Sequence, residues 1–387
     1  MLNKKKVILL GATGSIGTST CKVLRSFPEN FKLVGISAHS KSKKLLEIAE
    51  EFNVKNLAIT SNKEYLKAKS SILVNSEIKY FGGSLALEEL IACTDADLVV
   101  VATLGSYALM ATLNAIEKGM DIALANKELL VLGGDFITKS IKKHNVRLLP
   151  IDSEHNAVFQ CIQGYNIKEL KSISLTASGG ACRNFAIESL GSVTPSQAQN
   201  HPNWSMGTKI TIDSATMANK GLELIEAKWL FGLKPEQLKV IIHPESKIHS
   251  FVEWIDGSIL AQLSPPDMTF AIQHCLFYPQ RKNNPKPSIN FNEAINLTFH
   301  PPDLKRYPCL EIAYEVLKME SFASVIYNAS NEIAVQRFIK NEIKFTDIPK
   351  VIINALEIIN PSKDSTLKAL IELDMLTREH ALKSKIT

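Results

Sequence analysis

A strand running into a glycine turn and a helix near the amino end, strand–helix alternation up to residue 150, and helical periodicity alone from Leu310 onward predict an α/β chain in three parts. The first part, residues 1–150, reads as a Rossmann-like parallel-sheet domain. The second, 151–281, reads as an α+β domain with a mixed or antiparallel sheet. A stretch rich in Asn, Pro and Lys, 282–309, reads as a linker, and 310–387 as a small helical domain. A length of 387 residues fits two or three domains rather than one core.

Composition narrows the partners. The formal charge of +5 is mild for this length, and no basic stripe is interleaved with aromatics, so nucleic acid is not expected. Lys4-Lys5-Lys6 reads as a solvated lead-in to the first strand. No apolar run approaches the roughly 20 residues of a membrane span, and the amino end lacks a signal-peptide layout. The six cysteines are scattered with no C-x-x-C pair, which argues against zinc and against a disulfide framework and fits a reducing, cytoplasmic setting.

Val7-Ile8-Leu9-Leu10 is wholly apolar, as in a buried parallel strand. Gly11-Ala12-Thr13-Gly14-Ser15-Ile16-Gly17 follows, and a helical pattern continues through Val23 and Leu24. G-x-x-G-x-x-G in this setting is a variant of the dinucleotide fingerprint. Gly11 suits the tight turn, Gly14 the approach of backbone to a pyrophosphate, and Gly17 the helix–strand contact. The helix start offers N–H groups and the positive dipole end to phosphates.

The second strand, Leu33-Val34-Gly35-Ile36-Ser37, is followed by Ala38-His39-Ser40-Lys41-Ser42-Lys43-Lys44. An NAD site would place an acid here; a hydroxyl and cations fit a 2′-phosphate, hence NADPH. The lesser alternative is a lysine-rich helix start that touches only water. Leu98–Val101 reads as a strand, Ser106–Lys118 as a helix and Asp121–Leu124 as a strand. Asn126, Lys127 and Glu128 thus fall just past a strand's carboxyl end, where open α/β sheets bind ligands. An N-cap with first-turn charges explains them as well.

Arg147-Leu148-Leu149-Pro150-Ile151 leads into Asp152-Ser153-Glu154-His155-Asn156. In an extended segment Asp152 and Glu154 point the same way, and two hard oxygen donors suit Mg²⁺ or Mn²⁺. The alternative is an exposed turn that caps the next helix. A strand then ends at Thr176-Ala177-Ser178-Gly179-Gly180, where a hydroxyl and free N–H groups can meet an anion, or where the chain simply turns. His201-Pro202-Asn203-Trp204-Ser205-Met206-Gly207 is an irregular loop able to close over a ligand, or a surface loop anchored by its Trp.

Asp213-Ser214-Ala215-Thr216-Met217-Ala218-Asn219-Lys220-Gly221-Leu222-Glu223 reads as a helix through Trp229 with Asp213 or Ser214 as N-cap. Asn219, Lys220 and Glu223 then share a face. Glu223 can be a third carboxylate for a cation, and Ser214, Asn219 and Lys220 can hold a phosphate; a Lys–Glu surface pair is the plain alternative. Val240–His243, Ser250–Trp254 and Ser258–Ala261 read as strands, with Asp256-Gly257 as a hairpin turn and the antiparallel patch as a dimer surface. Asn328-Ala329-Ser330-Asn331-Glu332 reads as the start of a packed helix.

Taken in order, Gly11–Gly17, Ala125–Glu128, Ile151–Asn156, Ser178–Gly180, His201–Gly207 and Asp213–Glu223 closely resemble the 1-deoxy-D-xylulose 5-phosphate reductoisomerase family, and the resemblance covers essentially the whole chain. It implies NADPH- and divalent-metal-dependent conversion of 1-deoxy-D-xylulose 5-phosphate to 2-C-methyl-D-erythritol 4-phosphate, in the non-mevalonate route to isoprenoids, by a cytoplasmic homodimer. Residues 151–281 would be the catalytic and dimerisation domain. Asp152, Glu154 and Glu223 would bind Mg²⁺ or Mn²⁺. Lys127 and Ser153 would meet the substrate backbone. Ser178, Ser214, Asn219 and Lys220 would surround its phosphate, with His201 closing from a flap that carries Trp204 and Met206. The catalytic set would be Lys127, Asp152, Glu154, His201 and Glu223. Thr13, Gly14, Ser15, Ile16, Asn126, Glu128 and Gly207 would contact NADPH. The chain departs from the family at His39-Ser40-Lys41, where Gly-Arg/Lys-Asn is usual, so Ser40 and Lys41 stand in at the 2′-phosphate. Thr208 replaces a usual basic residue, and Ser264–Met268 keeps Pro-Asp-Met in altered surroundings. Competing readings are weaker. A phosphorylating semialdehyde dehydrogenase needs an activated Cys, which no motif here supplies. A nucleotide-sensing scaffold would be expected to lose some of Lys127, Asp152, Glu154, His201 and Glu223.

Overall fold

The computed structural model describes residues 4–72, 77–204, 206–319, 322–360 and 366–385. The chain forms two compact units. The first comprises Met1–Leu129, Asp135–Asn156 and Asp267–Pro287, the second Leu130–Gly134, Ala157–Pro266 and Ser288–Thr387. Among the described residues no helix is long and apolar enough to cross a membrane.

In the first unit β1 (Lys5–Leu10) leads to α1 (Ser15–Ser26), β2 (Phe31–Ala38) to α2 (Ser42–Glu51), and β3 (Asn56–Ile59) to α3 (Asn62–Ile72). Then come β4 (Lys79–Gly82), α4 (Ala86–Cys93), β5 (Leu98–Val101), α5 (Leu109–Glu117), β6 (Asp121–Leu124), α6 (Lys127–His144) and β7 (Leu148–Pro150). The strands pair in the order β4-β3-β2-β1-β5-β6-β7, all parallel. Parallel strands covered on both faces need continuous apolar runs, and Val7–Leu10 and Leu98–Val101 are almost wholly buried. The chain order reverses between β1 and β5, which places the Gly11–Gly17 turn and the loop after β5 at the switch point where such sheets bind nucleotides. The predicted Rossmann-like sheet is therefore present.

The second unit follows α7 (Ser153–Cys161), which begins in the first. It holds β8 (Leu170–Ala177), α8 (Pro195–Ala198), α9 (Thr208–Thr216), α10 (Ala218–Phe231), β9 (Leu238–Ile242), β10 (Ile248–Trp254) and β11 (Ile259–Leu263). Its sheet has the order β11-β10-β8-β9, antiparallel at β11/β10 and β10/β8 and parallel at β8/β9. That is the expected mixed sheet, and β10 and β11 meet around the Asp256-Gly257 turn, with Gly257 at φ +87°.

α11 (Met268–Phe277) returns to the first unit. It packs on α1, and Phe277 meets Phe27 and Phe31 edge-on at ring distances of 4.8 Å each. Residues 282–307 hold no helix or strand, and α12 begins inside the expected 282–309 linker. They are pinned nonetheless: His300 bridges Ile242, and Glu245 accepts from the Thr298 hydroxyl at 2.8 Å. Among the described residues the tail holds helices and no strand: α12 (Pro308–Lys318), α13 (Ala323–Ile339), α14 (Ile348–Ile358) and α15 (Leu367–Lys383). α13 is buried on nearly every face, Tyr327 and Phe338 among the largest side chains of the core.

Candidate active site

In the first unit the glycine turn is dictated by space. Gly11 has φ +89°, and a Cβ there would lie 2.4 Å from the Ala102 carbonyl oxygen. A Cβ on Gly17 would lie 2.3 Å from the Gly11 oxygen, so α1 can approach its own turn only without a side chain. Gly14 caps α1 with no side-chain hydrogen bond. Gly14 and Ser15 are exposed, Ile16 is half-buried and Thr13 is buried. The substitution Gly17→Val is expected to weaken NADPH binding at least about tenfold and to destabilise the fold by about 1–3 kcal/mol. Nucleotide fluorescence titration and urea unfolding check this; unchanged affinity would contradict the role given to the turn.

Ser40 and Lys41 are exposed between β2 and α2. The His39 ring bonds to Thr60 at 2.8 Å. Lys44 belongs to the same run of cations but departs from it. Its ammonium lies 3.3 Å from the Thr13 carbonyl and 3.0 Å from the Thr18 hydroxyl, beside the glycine turn.

Asn126 stands at the N-cap position of α6, yet its amide caps nothing. It donates instead to the Gly105 carbonyl at 2.9 Å and the Thr103 hydroxyl at 3.3 Å, fixing the loop after β5. Lys127, the first residue of α6, is 5% exposed, and its Nζ lies 2.5 Å from Asp152 Oδ2. The His155 ring, fully buried, has Nδ1 at 4.0 Å from the same oxygen. Glu128 is half-buried in the first turn.

The Asp152–Asn156 segment is not extended. Helix α7 begins at Ser153, so Asp152 precedes the helix and Glu154 lies in its first turn. The strand-period alignment of the two carboxylates is thus wrong, and the helix-start alternative describes the backbone. The change does not scatter the donors: both acids sit at a helix N-terminus, where the dipole favours negative charge. Ser153 Oγ donates to Glu154 Oε2 at 2.5 Å. The Asn156 amide donates to the Pro150 carbonyl at 2.8 Å, tying α7 to the end of β7.

In the second unit Ser178 ends β8 at a turn with Gly179 and Gly180 both at positive φ. The Gly180 N–H donates to Ser178 Oγ at 3.1 Å. His201 Nδ1 accepts from the backbone N–H groups of Asn203 and Trp204 at 3.1 and 3.0 Å. The ring proton therefore belongs on Nε2, which donates to Ser178 Oγ at 2.9 Å. With both lone pairs of Oγ engaged, the Ser178 hydroxyl is left as a donor. Trp204 and Met206 are half-buried and Gly207 is exposed at the cap of α9; Ser205 lies outside the described residues.

Burial, and then the Arg183 guanidinium, hold the His201 imidazole below its ordinary value of 6.5. The folded chain keeps this ring neutral, so below pH 6.5 the unfolded chain binds a proton the folded one refuses, and stability falls as pH drops through that value. Unfolding of wild type and His201→Gln between pH 8 and 5 is expected to show the steeper acid loss in wild type. Parallel curves would contradict the neutral ring.

Asp213 is not an N-cap: α9 starts five residues earlier, at Thr208, and Asp213 lies inside it, 1% exposed. The predicted single helix is two, broken at Met217, which adopts φ +61°. Ser214 near the end of α9 and Asn219 at the start of α10 are half-buried. Lys220 and Glu223 are 3% and 1% exposed and form a direct ion pair, not a surface pair. Asn219 Nδ2 donates to Glu223 Oε1 at 2.5 Å.

Lys127 and Lys220 share an unusual setting. Each is buried, each lies in the first turn of a helix where the dipole opposes a cation, and each is held by a carboxylate. Burial and dipole both work against such a lysine, so its position needs a reason in chemistry. Asp152, Glu154 and Glu223 offer only hard carboxylate oxygens, which is the donor chemistry of Mg²⁺ and Mn²⁺.

Three family models match. Residues 7–134 match "1-deoxy-D-xylulose 5-phosphate reductoisomerase", 148–231 match the C-terminal domain of the same enzyme, and 263–380 match "DXP reductoisomerase C-terminal domain". The chain is 44% identical over 377 residues to the 1-deoxy-D-xylulose 5-phosphate reductoisomerase of Clostridium kluyveri, covering 97% of this chain and 98% of that one. It is 45% identical over 380 residues to the enzyme of Thermoanaerobacter pseudethanolicus, covering 98% and 99%. Among solved structures, the Zymomonas mobilis enzyme in complex with NADPH matches with a TM-score of 0.91 and 39% identity, covering 98% of each chain. A DOX-P reductoisomerase in complex with NADPH, fosmidomycin and magnesium matches with a TM-score of 0.92 and 38% identity, covering 97% of each.

Proposed function

The chain belongs to the 1-deoxy-D-xylulose 5-phosphate reductoisomerase family, and from that premise we propose which residues perform the reaction. The enzyme is an NADP-dependent oxidoreductase that converts 1-deoxy-D-xylulose 5-phosphate and NADPH to 2-C-methyl-D-erythritol 4-phosphate and NADP⁺, with a divalent cation. The observation that carries the assignment of roles is the pair of buried, carboxylate-held lysines at helix starts, Lys127 and Lys220.

Asp152, Glu154 and Glu223 hold the cation. The chemistry a bound Mg²⁺ or Mn²⁺ supplies is Lewis-acid polarisation of the hydroxy-ketone oxygens. Lys127 donates a charge-assisted hydrogen bond to a substrate oxygen, and Ser153 orients the carbon backbone. Ser178, with its hydroxyl proton left to donate, joins Ser214, Asn219 and Lys220 on the phosphate. His201 fastens the 201–207 loop to Ser178 and so excludes water from the bound substrate. The hydride comes from NADPH, and the protein's part is to orient the cofactor. Thr13, Gly14, Ser15 and Ile16 present backbone to its pyrophosphate. Asn126, Glu128 and Gly207 contact the rest of it, and Ser40 and Lys41, with Lys44 beside the turn, serve the 2′-phosphate.

Functionally, residues 1–150 serve NADPH and 151–281 carry catalysis and self-association, although α11 packs on α1. Residues 282–309 connect, and 310–387 form the helical domain. Self-association as a homodimer uses β11, the edge of the second sheet, where Ile259 is 59% exposed and an unpaired strand edge is a ready template. A monomeric mass by light scattering at micromolar concentration would rule this out. The enzyme works in the cytoplasm on an isoprenoid precursor; its six free cysteines suit a reducing compartment. Fosmidomycin, held with magnesium by a solved relative, is expected to bind this chain at least about a hundredfold more weakly once Mg²⁺ is chelated. Titration calorimetry with Mg²⁺ and with EDTA reads the difference, and equal affinities would remove the metal from the site.

A further inference from the structure

Asp213 precedes Ser214 in α9, and consecutive helical residues point about 100° apart. Ser214 is half-buried, while Asp213 is turned into the protein with 1% exposure. Asp213 Oδ1 accepts from the Asn331 amide of α13 at 2.9 Å, and Oδ2 lies 2.8 Å from Lys209 Nζ. Lys209 is the second residue of α9, two positions after Gly207 of the loop. Asn331 is fully buried, and its Oδ1 makes no hydrogen bond among the described residues.

A buried carboxylate facing a half-satisfied amide is a costly way to join two helices, since an apolar pair of similar volume would pack there without the desolvation penalty. What the polar pair adds is a directional bond, which fixes one register of α9 on α13. That register also fixes where Ser214 lies. A Cβ on Gly180 would lie 2.5 Å from the Ser214 carbonyl, so the Ser178–Gly180 turn is packed directly against the same residue. The left-handed Met217 then passes the setting of α9 on to Asn219 and Lys220.

We propose that Asp213, Lys209 and Asn331 form a positioning unit through which the helical tail sets the phosphate-binding hydroxyl of Ser214 and the root of the 201–207 loop. None of the three is among the residues proposed to hold the substrate. The inference rests on the reading of Ser178, Ser214, Asn219 and Lys220 as phosphate ligands, and the test separates the two.

In the full-length enzyme, Asn331→Ala is expected to raise KM for 1-deoxy-D-xylulose 5-phosphate about tenfold, with kcat within about threefold and KM for NADPH unchanged. Lys209→Met is expected to raise the same KM about fivefold, and the double variant to fall short of the product of the two, because both act through Asp213. Ser214→Ala is run beside them. If Ser214→Ala raises substrate KM and the folded Asn331→Ala enzyme does not, the positioning unit is wrong and the phosphate site stands. If Ser214→Ala leaves KM unchanged, the phosphate reading itself fails. A merely structural Asn331 would lower the melting temperature and leave the KM of the folded enzyme alone. Should Asn331→Ala fail to fold, Lys209→Met decides, and an unchanged substrate KM there overturns the proposal.

Discussion

Glu223→Gln is expected to lower kcat/KM at saturating Mg²⁺ by about a thousandfold or more while NADPH still binds. The amide keeps the shape and length of the side chain, removes its charge, and turns one of its two acceptor oxygens into a donor. Two things depend on that charge. It is one of three proposed cation ligands, and a dication held by two carboxylates instead of three is held more weakly. It is also the counter-ion of Lys220, which is 3% exposed. Removing one partner of a buried pair costs about 3–5 kcal/mol, because the other charge stays buried. The variant should therefore be both inactive and less stable, and raising Mn²⁺ should recover part of the activity without restoring the melting temperature. Steady-state kinetics at rising Mn²⁺, with thermal unfolding alongside, reads both. Wild-type turnover would remove Glu223 from the metal.

Lys127→Met is expected to reduce kcat by about 10²–10³-fold, with NADPH affinity within about threefold of wild type. Methionine preserves most of the volume and the helix propensity of the first residue of α6, so packing is largely conserved. What disappears is an ammonium 2.5 Å from Asp152 Oδ2. As an isolated structural element this lysine is badly placed, buried and at the positive end of a helix. If it served only to neutralise Asp152, its loss would be felt in stability and in metal affinity but not in kcat at saturating metal. Stopped-flow measurement of a single turnover at saturating Mg²⁺ distinguishes the two, and an unchanged rate would demote Lys127 to a counter-ion.

Steric requirements were the most legible part of the site. The roles of Gly11 and Gly17 followed from the fingerprint because a Cβ at either collides with backbone, and those collisions are local to the turn. The shared face of Asn219, Lys220 and Glu223 was equally readable, since i,i+3 and i,i+4 spacing survives any tertiary context. Their burial was not: Lys220 and Glu223 are 3% and 1% exposed, an interior ion pair and not a surface one. The extended reading of Asp152–Glu154 failed because the helix begins at Ser153 rather than after the acidic pair, and Asp and Ser carry helix-start preference as readily as turn preference. Asp213 was misread as a cap because the break between α9 and α10 falls on Met217, a residue type that carries no turn signal. Lys44 was readable as one of several cations after the second strand, but not as a neighbour of the glycine turn, because only the folded helix α2 brings its ammonium back to Thr13. Nothing in the sequence of α11 announced that it packs on α1, since periodicity reports an apolar face and not the partner it covers. Long-range pairs such as Asn331 with Asp213, 118 residues apart, leave no local trace at all.

Absorbance of NADPH at 340 nm reads the metal-dependent reduction of 1-deoxy-D-xylulose 5-phosphate as it happens. Purified protein, NADPH and that substrate are followed in EDTA, then with Mg²⁺ or Mn²⁺ restored. No oxidation is expected in EDTA, immediate oxidation on addition of the cation, and none when substrate is omitted. Folded protein that binds NADPH and leaves its absorbance unchanged with both cation and substrate present would contradict that expectation.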